Sequence, residues 1–369
     1  MIISVLLFLQ FYLSFVFQYF KEVKLYKKII FIISLFVFYF LFIGIRDSAD
    51  WEIYDKVFFN IEEYDLDVLF NYSSLFARYL GYSFQDLFAL HIILYGYFFV
   101  KFIAHFTQNI IFVLGFFIVL TYVPLANQIR YFLALSLFLN GLYYYSFAKK
   151  KTSYIYFLFS LLSHSSMLVL LSFLFLEKKV GIENYAKKML MYSLLFFFTF
   201  NAIVSFGILD LLGQFHFKTY IQEDLLVSNV FGGIFNELPF IFTLILFYYW
   251  LKNIIKENAF LLEDKVFVFL YKLTFYSVLF IPISFNFQII GHRYVQAFII
   301  IWLCLYVYTL KKIEIKKMII QHFAVLNIWI LFLMFYLYYL PIFVFGMPNA
   351  IYYLEFIRSF NSIEYLPNI

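Results

Sequence analysis

The stretch SYIYFLFSLLSHSSMLVLLSFLFL, residues 153–176, carries no charged side chain and is long enough to cross a lipid bilayer. Its centre is Ser163-His164-Ser165-Ser166, a polar cluster poorly suited to lipid. Read as a full span, the stretch sends EKKVGIENYAKK (177–188) to the side opposite KKK (149–151). It misplaces KNIIKENAFLLEDK (252–265) and KKIEIKK (311–317) in the same way, although Lys and Arg concentrate in cytoplasmic connections. Read as a re-entrant hairpin that enters and leaves on one side, it returns all three segments to the cytoplasm. Irregular backbone at membrane depth survives only where protein or a watery cavity surrounds it. The tip at His164 is therefore expected to be surrounded by protein or by a watery cavity.

Working outward from this hairpin, uncharged or nearly uncharged runs fall at 2–20, 29–45, 87–104, 110–125, 131–148, 189–206, 235–251, 266–285, 294–310 and 318–340. Only 13% of the 369 residues are charged, 65% are hydrophobic and the mean hydropathy is +0.89; a water-soluble domain carries about 25% charged residues. The expectation is an all-α polytopic integral membrane protein with about ten transmembrane helices. To these it adds the re-entrant hairpin at 153–176. Residues 1–369 then form a single transmembrane domain with both termini outside, large outer loops at about 46–86 and 207–236, and an outer C-terminal segment, 341–369. The N-terminal run lacks a leading basic region and a small-residue cleavage site, so it reads as a retained first span. The single Cys304 lies in an apolar run, which leaves no disulfide or cysteine metal cluster to expect.

This topology sorts the charges by type. Among the lysines only Lys56 and Lys218 fall outside, whereas Arg46, Arg78, Arg130, Arg293 and Arg358 all lie outside or at outer span ends. The first outer loop contains Val68/Leu69, Tyr72, Leu75/Phe76 and Tyr79/Leu80 at helical spacing. Such a helix either lies along the membrane interface or packs on the bundle.

Nucleotide and metal signatures are missing: there is no P-loop, dinucleotide fingerprint or His-Glu-x-x-His. No cofactor, metal or nucleic acid is expected. Asp65-Leu66-Asp67 is similar to the Asp-x-Asp of soluble glycosyltransferases, but three residues carry little information and the topology puts them outside. Ionisable groups at membrane depth are functional candidates by default. Here they are Arg46 and Asp50 with Tyr54 one turn on, Arg130 in PLANQIRYF, His164 at the hairpin tip, and Arg293 beside His292. Each has a structural alternative: headgroup anchoring for the arginines, helix capping for Asp50, and satisfaction of backbone carbonyls for His164. Three arginines at span mouths on one face favour a phosphate ligand, because guanidinium binds phosphate in a bidentate fork that lysine does not reproduce.

The ordered set Arg46…Asp50…Tyr54, Ile129-Arg130…Ala134, Phe159…His164-Ser165 and Arg293 resembles the EpsG-like family of Wzy-type polysaccharide polymerases over about residues 40–300. Two positions depart from the pattern: Ser48-Ala49 where relatives often have Gly-Thr, and Tyr131 where Gln is common. The resemblance implies a glycosyltransferase in the bacterial cytoplasmic membrane. It would move a growing glycan from an undecaprenyl pyrophosphate carrier to a sugar hydroxyl of a lipid-linked repeat unit at the outer face, building capsule, exopolysaccharide or O-antigen. The implied partners are that undecaprenyl-pyrophosphate-linked oligosaccharide, the lipid bilayer, and a chain-length regulator and flippase of the same pathway. In that scheme Arg130, Arg293 and Arg46 clamp the pyrophosphate, Tyr54 joins the substrate contacts, and His164 or Asp50 takes the hydroxyl proton. The alternatives are a GT-C-type polyprenyl-phosphate-sugar glycosyltransferase and a glycolipid flippase or exporter.

Overall fold

The computed structural model describes residues 27–43, 49–61, 67–206 and 230–313, and every element among them is helical. The expected spans 2–20 and 318–340, most of the loop 207–236 and the segment 341–369 lie outside the described residues. Four helical stretches are long and apolar enough to cross a membrane: Phe84–Phe106, Glu237–Glu257, Lys265–Asn286 and Gly291–Lys312; Phe31–Phe42 is a shorter apolar helix. A membrane protein follows from these four, while the expected number of ten spans goes beyond them. The chain gathers into two compact units that meet in sequence between Leu171 and Ser172.

The first unit runs through α1 (Lys27–Phe42), α2 (Ala49–Phe59), α3 (Val68–Tyr79), α4 (Phe84–Phe106), α5 (Ile110–Asn127), α6 (Ile129–Phe147), α7 (Lys150–Ser163) and α8 (Met167–Leu170). Local chemistry sets several of these boundaries. Ser83 starts α4 with a capping box, its Oγ accepting the Asp86 N–H while Asp86 accepts the Ser83 N–H. Arg78 donates to the carbonyls of Phe58 and Phe59, the last residues of α2, which places a cation at the negative end of that helix. Pro124 removes an N–H from α5, and the helix is kinked at Thr121.

Packing between α6 and α7 depends on small residues. Ala134 and Gly141 lie seven apart on α6, and α7 turns Ser153, Phe157 and Ser160 inward at helical spacing. A Cβ on Gly141 would stand 2.7 Å from the Phe157 ring. The Ser160 hydroxyl donates to the Ala134 carbonyl at 2.7 Å, and Asn140 Nδ2 reaches the Phe98 carbonyl on α4 at 2.8 Å. Such interhelical bonds contribute about 0.6 kcal/mol each in membranes, where lipid is as apolar as the core and close packing takes over from the hydrophobic effect.

The amphipathic helix expected in the first loop is α3, yet its apolar side is not the packed one. Val68, Tyr72, Leu75, Phe76 and Tyr79 are exposed, whereas Phe70, Ser74 and Ala77 are buried. The predicted break after α7 is also present. His164 leaves the helix with extended dihedrals and the chain turns at Ser165-Ser166 before α8.

The second unit comprises α9 (Ser172–Lys179), α10 (Ile182–Ser205), α11 (Val230–Glu257), a 3-10 turn at Ala259–Leu262, α12 (Lys265–Tyr276), a second at Ser277–Phe280, α13 (Ile283–Asn286), α14 (Gln288–Ala297) and α15 (Ile299–Lys312). Asp264 caps α12 by accepting the N–H groups of Val266 and Phe267, and it also holds Lys312 at 2.9 Å and the Tyr308 hydroxyl. Burial raises the Asp264 carboxyl, but Lys312, the Phe267 N–H and the Tyr308 hydroxyl outweigh it and hold the group below its ordinary range. Lys272, buried on α12, donates to the carbonyl of Glu177 at the end of α9.

Candidate active site

In the first unit the side chains singled out in the sequence gather around a partner that the sequence did not single out for this place. Arg130 stands at the start of α6, where Gln128 interrupts the helix direction, and its side chain is 11% exposed. Its Nη1 donates to Asp67 Oδ2 at 2.5 Å, and Asp67 itself is only 6% exposed. The guanidinium lies 5.0 Å from the Tyr54 ring and 5.6 Å from the Phe70 ring, so aromatic faces from α2 and α3 cover it. A cation held between a carboxylate and two rings is fixed before any ligand arrives.

Asp67 has a second engagement. Its Oδ1 accepts the Ser165 N–H at 3.2 Å, at the turn that follows His164. One carboxylate thus joins the start of α3, the start of α6 and the break after α7. In the sequence it belongs to the Asp65-Leu66-Asp67 triplet, whose likeness to a metal–nucleotide motif carries little information. Both Asp67 oxygens are instead directed at protein donors; Asp65 lies outside the described residues.

His164 packs edge-on against Tyr131, with ring centroids 5.6 Å apart, at the break after α7. Its Nδ1 accepts the Ser166 N–H at 3.3 Å and lies 2.8 Å from the Ser166 hydroxyl. In the neutral ring the proton is then on Nε2. His91, unremarked in the sequence, is buried on α4 with its ring 5.7 Å from Phe70. Asp50 is half-buried in the first turn of α2, one turn before Tyr54, where a carboxylate favours the helix N-terminus. Arg46 lies outside the described residues. The first unit therefore brings together Tyr54, Arg130 and, through Asp67 and Tyr131, His164.

Arg293 belongs to the second unit, on α14, and its own neighbourhood contains a second buried carboxylate. Glu237 on α11 is fully buried, and its Oε1 lies 2.6 Å from Nδ1 of His292, the residue before Arg293. On the other side of Arg293's helix, Gly291 lies so close to the preceding chain that a Cβ there would meet the Ser284 backbone nitrogen at 2.5 Å. Gly291 and His292 anchor α14 at two consecutive positions, and Arg293 is the third. Nothing local in the sequence pairs Glu237 with His292, since they are 55 residues apart.

Among the described residues no cluster of His, Cys, Asp and Glu could hold a metal ion. No curated protein and no solved structure matches the chain. The model of the EpsG family does, over residues 28–357, which takes in both units and all the arginines discussed except Arg358. With the apolar spans and a match of that length, the chain belongs to the EpsG family, a family of membrane polysaccharide polymerases of glycosyltransferase type.

Proposed function

We propose that this protein elongates a cell-surface polysaccharide at the outer face of the bacterial cytoplasmic membrane. It takes the glycan from an undecaprenyl pyrophosphate carrier and passes it to a sugar hydroxyl of a lipid-linked repeat unit. The observation that carries this reading is the family match across residues 28–357. The charge pattern supports it: all lysines but Lys56 and Lys218 keep to one side of the proposed topology, and the arginines to the other.

Transfer from a pyrophosphate lipid needs cations that meet the departing phosphate as its charge develops. A guanidinium fixed in a partly desolvated place does this with little reorganisation. Arg130, held by Asp67 and stacked on Tyr54, has that character in the first unit, and Arg293, borne by the anchored α14, is the corresponding group of the second. Tyr54 offers its ring to the guanidinium or to a sugar face. His164, with its neutral-form proton on Nε2, donates a hydrogen bond to a sugar oxygen, and Asp50 accepts one from a hydroxyl. The product class, whether capsule, exopolysaccharide or O-antigen, follows from the repeat unit supplied.

A strain lacking the protein is expected to accumulate single lipid-linked repeat units and to make no long chains. Loss of polymer without that accumulation contradicts the proposal, since the block would then lie earlier. For the topology, a cysteine in place of Glu183 is expected to resist an impermeant thiol reagent in intact cells. Ready labelling there overturns the hairpin at 153–176.

A further inference from the structure

The proton of the acceptor hydroxyl needs a base, and the two histidines at the candidate residues differ in where they keep a lone pair. At His164, Nδ1 accepts the Ser166 N–H, so the lone pair of the neutral ring is turned into its own turn. At His292 the arrangement is the reverse. Nδ1 faces Glu237 Oε1 at 2.6 Å, so Nδ1–H donates to the carboxylate and Nε2 keeps the lone pair.

The surroundings of His292 hold the ring on one side and leave it open on the other. Glu237 is fully buried, and among the described residues its Oε2 has no hydrogen-bond partner and the imidazole is its one ion-pair partner. The imidazole side chain is 22% exposed, so the pair is closed at the carboxylate and open at the ring. Phe240 stands edge-on at 5.2 Å and fixes the ring plane. Gln296, one turn along α14, places its amide nitrogen 2.6 Å from His292 Nε2, donating to that lone pair. The amide N–H thus occupies the position that a hydroxyl O–H would take.

We infer that His292, oriented by Glu237, is the general base that removes the proton from the acceptor sugar hydroxyl. The inference rests on the polymerase reading and assigns a residue within it. The hydroxyl of the acceptor displaces the Gln296 amide and donates to Nε2. As the hydroxyl oxygen forms its bond to the anomeric carbon of the donor glycan, the bond from that carbon to the pyrophosphate oxygen breaks. The electron pair leaves with undecaprenyl pyrophosphate, and the hydroxyl proton passes to Nε2. The resulting imidazolium is stabilised by Glu237 and later returns its proton to water. Glu237 is a positioning residue, fixing the tautomer and balancing the charge, as the buried carboxylate of a Ser-His-Asp triad does.

The test uses the full-length protein in liposomes with undecaprenyl-pyrophosphate-linked repeat units. His292→Ala is expected to lower the elongation rate by about 10²–10⁴-fold, with the KM for the lipid-linked unit little changed. Added imidazole is expected to restore part of the rate, which a merely structural role would not allow. His292→Gln keeps a hydrogen bond to Glu237 and guards against a folding defect; its rate is expected to fall as far. Glu237→Gln is expected to lose at least about tenfold in kcat. Elongation by His292→Gln at the wild-type rate overturns the inference. So does an alanine variant that binds the carrier normally but gains nothing from imidazole. If the wild type itself fails to elongate these units, the polymerase reading falls; if wild type and variants elongate alike, only the role of His292 does.

Discussion

The first unit sets its buried carboxylate, Asp67, against a guanidinium, and the second sets Glu237 against an imidazole. The two pairs have similar burial but different chemistry. A guanidinium does not give up its proton in a protein, so Asp67–Arg130 is a permanent charge pair that fixes geometry and field. An imidazole has one nitrogen that donates and one that accepts, so the ring of Glu237–His292 offers a lone pair that the guanidinium lacks. Asp67 extends the contrast by also holding the Ser165 N–H, which makes it a brace between helices.

The largest effect is expected at Asp67. Asp67→Ala leaves Arg130 buried without its carboxylate and is expected to cost about 3–5 kcal/mol. A fall in thermal stability in detergent and in inserted protein would show it; normal stability would mean that Arg130 is not paired in the membrane. Next in size is Arg293→Lys. If the planar fork of Arg293 meets phosphate, polymer formation at normal protein level should fall by about 10²–10³-fold, comparable to losing a charge-stabilising donor worth about 2.7–4 kcal/mol. Long chains from Arg293→Lys and from Arg130→Lys alike would reduce both arginines to anchors.

Gly291→Ala asks whether α14 must lie as close as it does to the chain before it. The new methyl would meet backbone atoms of Ser284 and Phe280 at 2.5 and 2.8 Å. The expected cost is about 1–3 kcal/mol, as for overpacking generally, read as a lower melting temperature. A tolerated alanine would mean that α14 is free to shift and that Arg293 is not held. The smallest effect is expected at Asp264→Ala, which removes the α12 cap and the Lys312 contact for about 0.5–2 kcal/mol. The Asp264 carboxyl is held below its ordinary range, so it binds fewer protons folded than unfolded. Its contribution is complete above the ordinary carboxylate pKa and is lost as pH falls through the lowered value. A stability difference between wild type and variant that persists at strongly acid pH would exclude this cause.

Much of the helical layout was legible in the sequence because it rests on local patterns. The apolar runs mark α4, α5 and α6, the spacing from Val68 to Leu80 marks α3, and Ser163-His164-Ser165-Ser166 marks the break after α7. Which side of α3 packs was not legible. In water the apolar side would turn inward, but beside lipid the exterior is as apolar as the core. The packed side is therefore chosen by fit, through Phe70, Ser74 and Ala77. Of the candidate residues, Tyr54 and Arg130 were found by residue type and position, and the structure stacks them. Their partner Asp67 and the pair Glu237–His292 were not found as partners. They join residues 63 and 55 apart, and no local periodicity encodes such pairings.

Lengthening of a glycan on a pyrophosphate lipid is directly testable with purified full-length protein in liposomes. Supplied only with undecaprenyl-pyrophosphate-linked repeat units, it is expected to produce a ladder of products spaced by one repeat. Failure to form that ladder, with addition of single sugars from a polyprenyl-phosphate sugar instead, would contradict the account and identify a glycosyltransferase of the other class.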